Sequence, residues 1–337
     1  MIPELEGVVT RAEVAATADH LASLQLDTGM IPWFPGGHCD PWNHVESAMA
    51  LDVAGRHEEA RRAYDWLADV QRHDGSWHAY YHHDGTIEDD KLDTNVCAYI
   101  AAGVWHHWQI TGNDDFVQRM WPTVEWALEF VLAQVREDGL PLWAIESYGR
   151  PWKYALLTGT ASIQHALRCG AALGRALGRP HGNWVDTADR MARLIRTSPD
   201  SFEPKTRWAM DWYYPVLTGA MVGAEAKTRM ADGWNTFVME GLGIRCVSDE
   251  PWVTASETAE CSHAFAAIGD TSTATELLQW TRTHRRDNGS YWTGIVHPEG
   301  ILFPFEEHTS YTAAAVLLAV DAITRTTSAS DLFLRHD

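Results

Sequence analysis

The chain has 337 residues, and 45% of them are hydrophobic, enough for a sizeable core and too many for a disordered chain. A formal net charge of −20 argues against nucleic acid or an anionic membrane as partner, since both demand clustered Lys and Arg. No apolar run reaches the roughly 20 residues of a membrane span, and the opening MIPELEGVVTRAEV has neither a basic nor an apolar segment, so no signal peptide is expected.

The pattern predicts a helix over about 10–24, which closes on LQLDTGMIPW (24–33), and a second, more apolar helix over about 41–54. A helix over 57–72, HEEARRAYDWLADVQR, keeps its charges on one face, as a half-exposed helix does. It closes on VQRHDGSW (70–77), and an inner partner follows over 93–111. The same alternation gives helices over 114–136 and 154–174, joined through VREDGLPLW (135–143). Helices over 183–197 and 212–222, then 223–239 and 254–268, keep the rhythm without the Asp-Gly turn. The last pair, 271–284 and 307–324, is joined through HRRDNGSYW (284–292).

Second members such as TASIQHALRCGAALG (160–174) and SYTAAAVLLAVDA (310–322) are small and apolar on most sides, which implies burial all round. Exposed and buried helices alternating six times describe an all-α fold, an (α/α)6 barrel or toroid of six helical hairpins. One catalytic domain is expected over 1–325, with a tail at 326–337. Strand signals are sparse, apart from stretches such as GSYWTGIVHP that suit small hairpins in loops. The loops that lead into the inner helices all emerge at one end, and there they form a funnel. Reverse connections such as DVAGRHEEA and AAIGDTST are short and lack tryptophan.

The funnel loops are unusual in composition. Segment 73–92 carries Trp77, Tyr80, Tyr81 and four histidines among aspartates, and many of the seventeen tryptophans of the chain sit beside or within a few residues of Gly, Pro or Asp. Some of these are core side chains; the others suit aromatic platforms. Acids recur beside them: Asp40 and Glu46; Asp89, Asp90 and Asp93; Glu146; Asp211; Glu250, Glu257 and Glu260; Glu299, Glu306 and Glu307. Many acids at helix starts are N-caps, yet capping does not explain their company. Carboxyls with aromatic walls suit glycoside hydrolysis, where one protonated acid and one carboxylate flank the bond. Glu260 stands well inside a small, apolar helix, at the level that Glu46 has on the first inner helix. A charge there is costly without a purpose; the alternative is a buried acid paired with a histidine. The histidines show no HExxH or comparable ligand spacing, so no metal or other cofactor is expected. Five cysteines spaced without a CxxC pair suit a reducing cytosol.

The stretch ESAMALDVAGRHEEARRAYDWLADVQRHDGSW, continuing through LDTNVCAYIAAG to LPLWAIESYGRPWKYALLTGTAS, resembles the catalytic barrel of the family 15 glycoside hydrolases, the glucoamylase-like enzymes. The resemblance covers about 40–175. It implies Glu146 as general acid, with Asp40 and Asp93 as sugar ligands or part of the catalytic pair. The Glu-Gln element that carries that family's base is not found, which leaves Glu260 or Glu307 for the base. The chain is also similar to short actinobacterial proteins labelled prenyltransferase-like, which include a hydrolase of methylmannose polysaccharides, an endo-acting α-mannosidase. The expectation is therefore an inverting hydrolase of an α-linked neutral hexose polymer or oligomer, an α-mannan or an α-glucan. Candidate catalytic residues are Asp40, Glu146, Glu260 and Glu307. Trp33, Trp77, Trp143, Trp212 and Trp252 are candidate sugar platforms. His38, Glu46, Asp93, Arg150, Tyr214, Glu257, His297 and His308 are candidate polar contacts.

Two other enzyme classes use comparable toroids. The DGSW turn resembles the QW repeat of squalene-cyclase-type terpene cyclases, and IEDDKLD (87–93) resembles a degenerate proton-donor motif. Such cyclases, however, need two barrels and apolar cavities. Polysaccharide lyases and unsaturated-uronyl hydrolases need basic residues for a sugar carboxylate, and the funnel offers chiefly Lys91, Arg150, Lys153 and Arg207. A non-catalytic sugar-binding module would be large for its task.

Overall fold

A computed structural model describes residues 1–333. Outer helices α1 (Arg11–Leu24), α3 (His57–Val70), α6 (Asp114–Leu132), α8 (Gly182–Thr197), α10 (Gly223–Phe237) and α12 (Thr271–Trp280) alternate with inner ones. The inner helices are α2 (Pro41–Val53), α4 (Thr94–Ala98) with α5 (Ile100–Thr111), α7 (Leu157–Ala176), α9 (Ala209–Leu217), α11 (Ala255–Ala267) and α13 (Ser310–Thr324). Around the axis α2 packs on α5, α5 on α7, α7 on α9, α9 on α11, α11 on α13, and α13 returns to α2. The ring is closed, and the fold is the (α/α)6 barrel expected from the alternation.

Burial follows composition. Every residue of α13 from Thr312 to Ala322 is buried, because small side chains let this helix touch neighbours on all sides. On α3 the buried set is Ala60, Ala63, Tyr64, Trp66 and Leu67, one stripe of an otherwise charged helix. The second inner helix, read as continuous over 93–111, is divided by a turn at Tyr99.

The repeated Gly-containing turn clasps one outer helix to the next. In the turn after α3, the Gly75 N–H donates to the Arg72 carbonyl and the Arg72 N–H to the Ser76 carbonyl (both 2.9 Å). The Gln71 amide bridges the Gly75 and Thr123 carbonyls, each at 2.9 Å, and so ties the turn to α6. Gly75 has φ +89°, and a Cβ there would lie 2.2 Å from the Trp126 carbonyl oxygen of α6. The turn after α1 repeats this approach onto the Arg62 carbonyl of α3, the turn after α6 meets the Arg190 side chain of α8, and the turn after α12 meets the Ala16 carbonyl of α1. The last of them closes the outer ring.

The mouth holds more strand than the sequence suggested. β1 (Tyr80–Tyr81) pairs with β2 (Ile87–Asp89), and β3 (Leu92–Asp93) with β4 (Ala144–Ile145). β5 (Val238–Met239), β6 (Gly243–Arg245), β7 (Trp252–Thr254), β8 (Gly294–Val296) and β9 (Ile301–Phe303) form one antiparallel sheet in chain order. These strands of two or three residues come from two distant loops, too short for a period-two pattern to register.

The expected tail, 326–337, extends beyond the described residues. Its described part packs beneath the bore: Ala329, Leu332 and Phe333 are buried, and the Phe333 ring stacks on His165 at 4.6 Å. Asp321 anchors this segment by accepting from the Thr327 N–H (2.9 Å) and hydroxyl (2.5 Å). Among the described residues no helix is long and apolar enough to cross a membrane.

Candidate active site

A cavity of about 490 Å³ opens where the inner helices begin. Six carboxyl side chains line it, from Asp40, Glu46, Asp93, Asp211, Glu257 and Glu260. Trp33, Trp42, Tyr80, Trp143, Trp208 and Tyr311 supply flat walls.

Three of the acids stand where helices start. Asp40 is the N-cap of α2: its Oδ1 accepts the Asn43 N–H at 3.0 Å. Its Oδ2 accepts from the Trp33 indole and the Asn43 amide, both at 2.7 Å. Burial raises its pKa, and these donors only partly oppose that. Asp93 caps α4 through the N–H groups of Asn95 (2.9 Å) and Val96 (3.2 Å), and burial pushes its carboxyl up to about 6. Asp211, in the first turn of α9, accepts the Thr158 hydroxyl at 2.6 Å, and burial raises it as well.

The other three acids lie on helices. Glu46 is the sixth residue of α2, and Glu260 the sixth of α11. Glu46 accepts the Trp42 indole N–H at 2.9 Å and the Tyr99 hydroxyl at 3.2 Å. Burial pushes it up to about 7. Glu260 accepts the Tyr213 hydroxyl, and burial followed by the charge of Glu46 holds its pKa well above the usual carboxylate range. Glu257, one turn nearer the mouth, accepts the Ser256 hydroxyl at 2.7 Å.

The aromatic walls are braced from behind. Trp33 meets Tyr311 edge-on at 5.0 Å, Trp42 stacks on Tyr99 at 4.8 Å, and Trp143 stacks on Tyr154 at 5.5 Å. Lys91 sits over the Trp143 ring at 4.9 Å.

Of the residues singled out in the sequence, Trp33, Asp40, Glu46, Tyr80, Asp93, Trp143, Asp211, Glu257 and Glu260 share this wall. The others lie elsewhere. Glu146, half-buried, follows β4 and starts a turn in which the Gly149 N–H donates to its carbonyl at 2.7 Å; it is not among the residues that line the cavity. Arg150 is exposed in the same turn. Glu307 precedes the sixth inner helix, which begins only at Ser310, and its carbonyl accepts the Thr293 N–H behind the wall. Trp77 is buried and donates to the Leu67 carbonyl at 2.9 Å. Trp212 stacks on Phe237, on the outer side of α9, and Trp252 stacks on Phe303 across the sheet. His38 backs the Trp33 ring at 4.3 Å, and Tyr214 is buried beneath the floor. His297 precedes a cis Pro298 between β8 and β9, and His308 packs near Trp292 and His20. Of the acidic run 87–93, Asp93 alone lines the cavity, and the cation on the wall is Lys205 rather than the four expected ones.

Sequence reading passed over Asn43, Asn95, Lys205, Ser256 and Tyr311 on this wall. Asn43 and Asn95 follow the capping aspartates by three and two residues, a spacing that announces them once the caps are known. The tryptophans sort by distance from the turn glycine. Two residues after it stand Ile31, Trp77, Pro141 and Tyr291, all buried; four residues after it stand Trp33 and Trp143 on the wall, and Ala79 and Thr293, which are buried.

No protein-family model matches the chain. It is 46% identical over 332 residues to the MMP endo-(1,4)-3-O-methyl-alpha-D-mannosidase of Mycolicibacterium hassiacum, a match covering 98% of this chain and 92% of that protein. A stretch of 84 residues is 29% identical to an uncharacterized glycosyl hydrolase of Methanocaldococcus jannaschii, 25% of this chain and 14% of that one. Among solved structures, a wild-type glycosidase superposes with a TM-score of 0.73 at 15% identity, covering 94% of this chain and 98% of its own. A sugar epimerase from a ruminal bacterium does so with a TM-score of 0.70 at 12% identity and the same coverage. Those two likenesses are of fold, whereas the mannosidase match spans nearly the whole of both chains. The chain therefore belongs to the family of the M. hassiacum mannosidase and is a glycoside hydrolase.

Proposed function

We propose that this hydrolase is an endo-acting α-mannosidase that cleaves (1,4)-linked, 3-O-methylated mannose polysaccharide with inversion, in the cytosol. What carries the reading is a wall of six carboxyls and six flat rings in a chain so close to that mannosidase. Five free, buried cysteines suit a reducing compartment.

Glu260 is the acid. Enclosed by protein and facing the charge of Glu46, it keeps its proton until the glycosidic oxygen takes it. The bond from that oxygen to the anomeric carbon then breaks. A water attacks the anomeric carbon and yields its proton to Asp40, the base, which the Trp33 and Asn43 donors hold in place. Helices α2 and α11 are not neighbours in the ring, since α13 stands between them. This favours the wider separation, about 6.5–9.5 Å, that leaves room for a water in inverting enzymes. Glu257 and Asp93 then serve sugar hydroxyls, and Trp33, Trp143 and Trp208 stack against ring faces.

The test is release of new reducing ends from 3-O-methylated α-(1,4)-mannan, with the first-formed anomer read by NMR. Glu260→Gln and Asp40→Asn are each expected to lose roughly 10²–10⁴-fold in kcat. Glu260→Gln should keep most activity on an aryl mannoside whose leaving group needs no proton. Undiminished turnover in both variants would remove them from these roles. A retained anomer would overturn inversion, and an inert polysaccharide would overturn the substrate.

A further inference from the structure

Beside the active-site cavity lies a second hollow, of about 640 Å³, between α9 and α10. Trp208 and Asp211 line both, so the two hollows adjoin at these residues on the flank of the barrel. The floor of the second hollow is aromatic: Trp212 and Phe237, each only 5% exposed, stack at 5.5 Å with their planes 12° apart, and Trp208 beside them, 47% exposed, offers the open ring face.

The far wall is one face of an outer helix. Glu225, Thr228, Arg229, Asp232 and Gly233 of α10 recur at the spacing i, i+3, i+4, i+7, i+8. On α3 the same kind of stripe is Ala60, Ala63, Tyr64 and Leu67, and it is buried in the core. On α10 it is polar and faces the hollow. Gly233 lets the helix lie against the floor, since a Cβ there would fall 2.2 Å from the Trp212 indole nitrogen. Arg229 holds the two walls in register: its guanidinium donates to the carbonyls of Trp212 (2.7 Å) and Asp211 (2.5 Å), and its own carbonyl accepts the Trp212 indole at 2.8 Å. A rigid aromatic floor with hydroxyl and carboxyl groups along one side has the make-up of a sugar subsite.

We propose that this groove binds the sugar units next in line to those being cleaved, and that its aromatic floor selects chains carrying 3-O-methyl groups. The inference rests on the substrate proposed above. A polymer threaded through an endo-acting site must leave the central cavity, and the groove adjoins that cavity at Trp208 and Asp211. A methyl ether replaces the hydroxyl hydrogen by an apolar methyl group, which gains from the open indole face of Trp208 and leaves no donor to go unpaired.

The experiment blocks the groove. Thr228→Trp and Asp232→Trp add bulk at two exposed positions on its wall that take no part in the central cavity. Steady-state kinetics are compared on short and long (1,4)-mannooligosaccharides, with and without 3-O-methylation, after thermal melts show both variants folded. For long methylated chains KM is expected to rise about tenfold with little change in kcat. The shortest cleaved oligosaccharide should be handled as by the unmodified enzyme. Variants that match the unmodified enzyme on long methylated chains would overturn the groove. Equal losses on methylated and unmethylated chains would overturn the selection of methyl groups. Failure of the unmodified enzyme to cleave any of the set would overturn the substrate reading, and this inference with it.

Discussion

Glu46 shows how burial sets the chemistry of a single side chain here. Its ordinary pKa of 4.5 rises to about 7, chiefly because the protein around it replaces water. Between those two values the folded chain binds more protons than the unfolded one, so this group makes stability fall as pH rises through that window. Glu46→Gln should therefore be more stable than the parent at pH 8 by roughly 2–3 kcal/mol, a gain that disappears by pH 4. Urea unfolding at the two pH values measures it, and an equal difference at both would contradict the burial argument. Burial raises Asp40 as well, and its neighbours partly oppose that. The Trp33 indole N–H favours its ionised form, and Trp33→Phe keeps a ring while deleting that donor. The acidic limb of kcat/KM should then move to higher pH, with up to about a tenfold loss at its former midpoint.

Among the elements, the Gly-containing turns set the spacing of the outer ring. Gly75 combines a left-handed backbone with a carbonyl of the next helix 2.2 Å from where a Cβ would sit, while Gly85 has φ +82° and open space around it. Gly75→Ala is expected to cost roughly 2–4 kcal/mol, strain plus displacement of α6, and Gly85→Ala about 1 kcal/mol from strain alone. Comparable losses in chemical denaturation would show that helix approach contributes nothing. The same turns explain which tryptophans were misread. Trp77 and Trp33 both stand in aromatic, Gly-marked loops, yet Trp77, second after its glycine, is buried, whereas Trp33, fourth after its own, reaches the cavity. Neighbouring composition cannot separate them; their count from the glycine does.

At the scale of the molecule, the bore is open at the mouth and filled below. Phe333 closes it from beneath, in contact with His165 and His263 and beside a small void that Glu46 and Glu260 also border. Phe333→Ala should destabilise the chain by roughly 3 kcal/mol through the cavity it leaves, read as a lower urea midpoint with an unchanged slope. The helical alternation was legible without coordinates because it is written locally. A stripe of apolar residues makes an outer helix, uniform small residues make an inner one, and glycine turns punctuate both. That determined the barrel, the end at which the loops gather, and the placing of Asp40, Asp93 and Glu260 there. Only the tertiary structure decided that Glu146, Glu307 and Trp252 stand off the cavity, that Asn43 and Tyr311 line it, and that two loops pair into a five-stranded sheet. A side chain's direction in a loop depends on contacts made by distant segments, and no local pattern records those.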